Sequence, residues 1–421
     1  MAGPPPLLLR ARVVLPIRRS PIADGAVVVS GQRIAAVGTW RSLRSRFAGE
    51  VHDLGDVVLL PGLVNAHCHL DYTHMAGMFP PQKSFCDWIK LITTEKAHWT
   101  FSDYAEAWLD GARMLLSSGT TTVADIEAVP ELLPDVWTAT PLRVISFLEM
   151  TGVRSRRQPE LILREALEKI DTLPPHRCSA ALSPHAPYST TPRLLQRTAA
   201  LAQKRRLRVT THIAESATEF EMIRHARGEM FDWLQRNERD MADCGRRSPV
   251  QHVAQAGLLG RNFLAAHVNC LARDDAAALA RKHASVVHCP RSHDYFQHPE
   301  FPYRALAKAG VNLCLGTDSL ATVKMKPRQI VELNMFTEMR AFAKAQPKVA
   351  PEQIIRMATI NGARALGLRG QVGELRLKAF ADLIALPFNG KPADSYAAVL
   401  AHTGPLTVGM IDGDWTISPG V

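Results

Sequence analysis

Apolar positions along the chain follow two rhythms. Near the start, short runs rich in valine and isoleucine (residues 11–15, 25–30, 33–37 and 57–60) alternate with turn pairs such as Asp24-Gly25 and Ser30-Gly31, which predicts strands. The far end reads the same way, with strands expected at 381–386, 397–401 and 415–417 and turns at Asn389-Gly390 and Asp412-Gly413. The middle differs. Buried-strand runs of four to eight residues are expected at 63–66, 120–126, 143–148, 179–183, 208–211, 263–267, 285–288 and 311–316. Between them lie amphipathic stretches (102–117, 158–170, 192–204, 217–227, 273–282 and 302–309) whose apolar residues recur at helical spacing.

Eight buried strands alternating with helices are the pattern of a (β/α)8 TIM-like barrel. The expected organisation is α/β: a barrel over residues 61–370, and a small β-sandwich domain built from both termini, 1–60 plus 371–421. A doubly wound sheet is the competing fold, but no glycine-rich phosphate loop follows any strand.

Composition narrows the class. Of 421 residues, 46% are hydrophobic and 21% charged, a balance that argues against wholesale disorder. The longest uncharged apolar stretches, such as 57–66, are too short to span a bilayer, and the first ten residues lack the order of a secretory signal. A cytoplasmic location without a membrane partner is expected. The net charge of +10 raises nucleic acid as a partner. The excess lies in scattered arginines, however, and aromatics do not interleave with them as stacking platforms would. No nucleic acid is expected. Seven cysteines form no C-x-x-C pair, and Cys68, Cys270, Cys289 and Cys314 sit inside apolar runs, as small buried thiols do in a reducing compartment.

The polar residues at the ends of the expected barrel strands carry the chemistry, because active sites of such barrels gather there. The first strand ends in His67-Cys68-His69, the fourth in His185, the fifth in His212, the sixth in His267, the seventh in His288 and the eighth in Asp318. On a strand, His67 and His69 point the same way. With His212 and Asp318 they make a three-nitrogen, one-oxygen set suited to a divalent metal, zinc or iron. Glu215 follows His212 by three residues, where a carboxylate could move a proton between a metal-activated water and a leaving group.

The run Leu60-Pro-Gly-Leu-Val-Asn-Ala-His-Cys-His69 resembles the first-strand signature of the amidohydrolase superfamily, in its mononuclear deaminase and chlorohydrolase branch. His212-Ile-Ala-Glu215, His267, His288-Cys-Pro-Arg-Ser292 and Leu315-Gly-Thr-Asp-Ser319 are similar to that branch's later motifs, in the same order. The resemblance implies one divalent ion, zinc foremost and iron the alternative, on His67, His69, His212 and Asp318. It also implies that His267 bonds the attacking hydroxide or the substrate, that Glu215 is the acid/base, and that Asp318 shares in catalysis. Binuclear relatives carry a lysine after the fourth strand; here that segment is Ser183-Pro-His-Ala-Pro-Tyr188, which favours a single ion.

The implied activity is hydrolytic deamination of an adenine-type ring in a nucleoside derivative, whether aminodeoxyfutalosine-like or of the adenosine, S-adenosylhomocysteine or methylthioadenosine kind. The runs His69-Leu-Asp-Tyr72 and Cys289-Pro-Arg-Ser-His293 are similar to those of aminodeoxyfutalosine deaminases, whereas deaminases of S-adenosylhomocysteine usually carry asparagine where His293 stands. His185 matches a substrate-contacting position, often at a ribose hydroxyl, and Glu95, reached through a gap, matches a ribose-binding glutamate. Glu149 is expected to repel a substrate carboxylate unless Arg154 compensates. The alternatives are hydrolysis of another C–N or C–Cl bond of a guanine-, cytosine- or triazine-type heterocycle, and a non-catalytic binding homologue. The partner is a small heterocycle or nucleoside; monomer and homodimer both stay open.

Overall fold

The computed structural model describes residues 5–152, 157–174, 177–325 and 329–419. Five strands precede the barrel: β1 (Leu7–Val14), β2 (Ile22–Ser30), β3 (Arg33–Thr39), β4 (Glu50–Asp53) and β5 (Val57–Pro61). The barrel follows as β6 (Leu63–Cys68), β7 (Thr120–Glu127), β8 (Arg143–Met150), β9 (Ser179–Pro184), β10 (Val209–Ile213), β11 (Phe263–His267), β12 (Ser285–His288) and β13 (Asn312–Leu315). The last strands are β14 (Leu383–Pro387), β15 (Val408–Ile411) and β16 (Asp414–Ile417).

β6 to β13 pair in sequence order and in parallel. Such strands are covered on both faces, which is why they read as continuous apolar runs. In β11, Leu264 and Ala266 face the barrel interior with Val64, Phe147 and Val287. Phe263 and Ala265 pack outward against the helical layer. The ring closes between its last and first strands through a bridge from Cys68 to Asp318, where the Asp318 amide donates to the His67 carbonyl at 3.0 Å.

Gly316 makes that seam possible. A Cβ there would lie 2.6 Å from the His67 carbonyl oxygen and 2.9 Å from its amide nitrogen. Gly316→Ala is therefore expected to force β13 off β6, at a cost on the order of 1–3 kcal/mol for the overpacking. Thermal denaturation checks this, and an unchanged melting temperature would show the seam to be slack.

The terminal strands form one eight-stranded mixed sheet, in the order β16-β15-β14-β5-β1-β2-β3 with β4 beside β1. β5 lies between β1, which it meets in parallel, and β14, which it meets antiparallel. Only Gly62 separates β5 from β6, so one continuous chain passes from this sheet into the barrel. Arg143, at the start of β8, is buried beneath the Phe380 ring at 3.8 Å; it pairs with Asp382 at 3.2 Å and hydrogen-bonds Asp412, tying barrel to sheet.

One expected strand is a helix. Residues 397–401 belong to the helix Ser395–Ala401, in which Ser395 and Val399, four apart, form the buried face. An alanine-rich run of this length suits either element, and β15, three residues past Pro405, takes the place in the sheet.

Candidate metal centre and active site

Strand ends alone would not gather the site residues, because regular alternation sends some of them the wrong way. His67 shares its parity in β6 with the outward-facing Leu63. Between Asn65 and Cys68, however, β6 holds one residue more than its partner β7, where Asn65 faces Val123 and Cys68 faces Asp125. That bulge re-aims His67. His267 shares its parity with Phe263 and Ala265, and its φ of +70° turns it into the mouth. Asp318 (φ +54°), Val268 (φ +54°) and Ala214 (φ +51°) are also left-handed. Each such non-glycine residue costs about 1–3 kcal/mol, and such strain gathers at functional sites.

The result is two adjoining groups. His67, His69 and His212 bring ligand atoms within 4.8 Å of one another, and so do Glu215, His267 and Asp318. Asp318 Oδ1 joins the groups, 3.7 Å from His67 Nε2 and 3.6 Å from His69 Nε2. His212 Nδ1 lies 2.9 Å from the His185 carbonyl oxygen, to which it donates. That bond leaves the Nε2 lone pair free, pointing at His69 Nε2 only 3.4 Å away.

The donor set fits a divalent cation. Both ring nitrogens of His67, Nδ1 of His69 and Nε2 of His267 are buried without a hydrogen-bond partner, a cost the fold would not otherwise carry. Two nitrogens about 2.0–2.1 Å from one tetrahedral ion stand about 3.4 Å apart, the spacing found between His212 and His69. Burial pushes His69 and His267 down to about 3 and His212 well below the usual imidazole range, so all three offer neutral rings. Burial works against ionisation of Asp318, but the close His67 and the rings of His267 and His69 outweigh it and hold its carboxyl well below the ordinary range.

Glu215 behaves in the opposite way. Burial, reinforced by the charges of Asp318 and Glu219, raises its pKa well above the usual carboxylate value. Its Oε1 stands 3.6 Å from His267 Nε2. The loop that carries it is clamped: Glu219, fully buried, accepts from the Ala214 amide at 3.0 Å and the Glu215 amide at 2.8 Å. Asn269 donates to the Glu215 carbonyl at 2.9 Å, and its own oxygen meets His293 Nδ1 at 3.1 Å. His293 thus supports the Glu215 loop from behind.

These residues lie at the floor of a cavity of about 460 Å³. His69, His212, Glu215, His267 and Asp318 line it, together with Glu149 and His185. The helix Phe85–Lys96 covers it with Trp88, Ile89, Ile92, Thr93 and Lys96. Glu95 is not among the lining residues. It accepts from the Trp99 indole, one turn further on, at 3.2 Å, and lies at the edge of the covering face, whose centre is near Lys96. Glu149 does reach the cavity, but beside Lys96 (4.0 Å) and His185 (3.9 Å) rather than as an isolated negative charge. The repulsion expected of it is locally offset. Arg154 lies outside the described residues.

Sequence reasoning missed Lys96, Glu219 and Asn269. Glu219 stands three residues after Ser216, the N-cap of the helix Ala217–His225, and such an S-x-x-E spacing was a usable signal, since a glutamate there reaches back to amides ahead of the helix. Nothing in the spacing marked the other two.

The family model described as "Amidohydrolase family" matches residues 58–416, and that of an imidazolonepropionase-like composite domain matches residues 25–49. A 5-methylthioadenosine/S-adenosylhomocysteine deaminase of Syntrophobacter fumaroxidans is 31% identical over 383 residues, covering 86% of this chain and 80% of that protein. An aminodeoxyfutalosine deaminase of Deinococcus radiodurans is 29% identical over 357 residues, covering 82% of each. Among solved structures, a zinc-bound adenosine deaminase from Xanthomonas campestris superposes with a TM-score of 0.83 at 25% identity, over 99% of this chain and 94% of that one.

Proposed function

The chain belongs to the amidohydrolase family, and on that premise we propose that it is a metal-dependent hydrolase of carbon–nitrogen bonds, one that deaminates the adenine-type ring of a nucleoside. The observation that carries this reading is the contact between the two groups on the cavity floor, an imidazole set with unpartnered nitrogens beside Glu215, His267 and Asp318. His67, His69, His212 and Asp318 would hold one divalent ion, zinc foremost and iron the alternative; no lysine stands at the end of β9 to bridge a second. Residues 61–370 would form the hydrolase barrel, supported by a domain of 1–60 plus 371–421.

A divalent ion so held lowers the pKa of a coordinated water toward about 7. The remaining work belongs to the chain. Glu215, whose carboxyl burial favours in the protonated form, delivers that proton to the ring nitrogen next to the amino-bearing carbon as water adds there, and takes one proton of that water in exchange. Asp318 and His267 orient the attacking oxygen and accept its remaining proton. That proton passes to the amino group, the C–N bond breaks, and ammonia leaves with the ring now bearing oxygen. The relatives named for methylthioadenosine, S-adenosylhomocysteine and aminodeoxyfutalosine deaminases support a nucleoside rather than a free base.

The test is ammonia release from adenine, adenosine, methylthioadenosine, S-adenosylhomocysteine and aminodeoxyfutalosine, with guanine and a chlorotriazine alongside. Nucleosides should exceed free adenine in kcat/KM, and His185→Ala should shrink that preference. A higher value for guanine or the triazine would overturn the substrate assignment while leaving the metal site intact.

A further inference from the structure

Lys96 is the only lysine or arginine among the described residues lining the cavity. Its Nζ donates to the Tyr72 hydroxyl and lies 4.7 Å over the Tyr72 ring. Tyr72 in turn stacks on His69 with centroids 5.1 Å apart, so the ammonium is fixed beside the metal end of the cavity. Its nearest carboxylate, Glu149 near the end of β8, has one oxygen 4.0 Å from Nζ and the other 3.9 Å from His185 Nε2. Both are ion-pair distances beyond hydrogen-bond reach. Among the described residues no hydrogen bond ends on the Glu149 carboxylate.

Burial opposes the charge on Glu149, but Lys96, His185 and His69 overcome it and keep the group ionised. Its oxygens open on the cavity, so their hydrogen-bonding capacity is left for what binds there. Here the Lys96 ammonium and His185 Nε2 flank the carboxylate, and both stop short of it. His185 is held from its far side, its Nδ1 meeting Ser189 Oγ at 2.6 Å, so Nε2 stays aimed at the gap. A hydroxyl set between Glu149 and Lys96 would donate to one carboxylate oxygen while accepting from the ammonium, and a second would donate to the other oxygen on the His185 side.

We propose that Glu149 reads a vicinal diol, one hydroxyl on each carboxylate oxygen, and that Lys96 balances its charge and bonds one of the two hydroxyls. The assignment rests on the nucleoside reading and names the residues that select a ribose over its deoxy forms. A neutral Lys96–Glu149 couple suits hydroxyls. Among the described residues it leaves no spare cation on this wall for a carboxylate.

The experiment compares kcat/KM for adenosine, 2′-deoxyadenosine, 3′-deoxyadenosine and 2′,3′-dideoxyadenosine in the parent, Glu149→Gln, Lys96→Met and Lys96→Arg proteins. The parent should prefer adenosine over the dideoxy form by about 10²-fold or more, because buried polar groups left without partners reject an analogue strongly. Glu149→Gln and Lys96→Met should lose at least about 10-fold more on adenosine than on dideoxyadenosine, chiefly in KM; Lys96→Arg should recover most of the preference. General damage to the site would lower all four substrates together, and that result would overturn the proposal. Nucleoside turnover without hydroxyl discrimination in the parent would overturn the diol assignment alone. Deamination confined to free bases or other heterocycles would overturn it together with the nucleoside reading.

Discussion

Glu215→Gln is expected to leave the protein folded and its metal content unchanged while kcat falls by about 10²–10⁴-fold, the usual contribution of a general acid–base. The substitution keeps the shape of the side chain and so should not disturb the clamp on its backbone by Glu219 and Asn269. It removes the one thing the proposed reaction needs, a carboxyl that gives up a proton and regains it. KM should change little, because the loss falls on a step made only in the transition state. Steady-state kinetics with circular dichroism and elemental analysis of the same sample check this. Turnover within a few-fold of the parent would assign the proton to another group.

Protein purified without chelator should contain about one divalent ion per chain, and His212→Ala should lose most of it together with activity. His212 is the proposed ligand whose orientation is fixed from behind, by the bond from its Nδ1 to the His185 carbonyl. Its removal would deprive the set of a nitrogen 3.4 Å from His69 and leave the other unpartnered nitrogens without a cation. Elemental analysis decides the matter. Two ions per chain, or full metal content in the variant, would mean that other residues hold the metal. Dialysis against a strong chelator should likewise abolish turnover, with zinc restoring it.

Much of this site was legible from the order of residues, for an identifiable reason. A parallel barrel strand buried on both faces reads as an apolar run, and the polar residue that ends it stands out. His67, His69, His212, His267 and Asp318 were all found in this way. The devices that bring them together were not legible: the extra residue in β6 and the left-handed turns at Ala214, His267 and Asp318. No glycine or proline marks these turns, so they are imposed by tertiary packing rather than by local preference. The neighbouring residues Glu95 and Lys96 show the same limit. A helix of the right length was foreseeable, but which of two adjacent residues meets the cavity depends on its rotation about its axis. The run 397–401 was misread because an alanine-rich segment of that length has no decisive period of its own.

The join between the terminal sheet and the barrel has a consequence for the order in which the molecule is made. β5 runs through Gly62 directly into the strand that carries His67 and His69. Its two neighbours come from opposite ends of the sequence, β1 at residues 7–14 and β14 at residues 383–387. During synthesis from the N-terminus, one edge of β5 stays open until more than 300 further residues have been added, and an open strand edge is an invitation to pair wrongly. Asp318, the last of the six residues in the two groups, is also translated before β14. A growing chain thus holds every candidate ligand before it holds the strand that anchors the first of them.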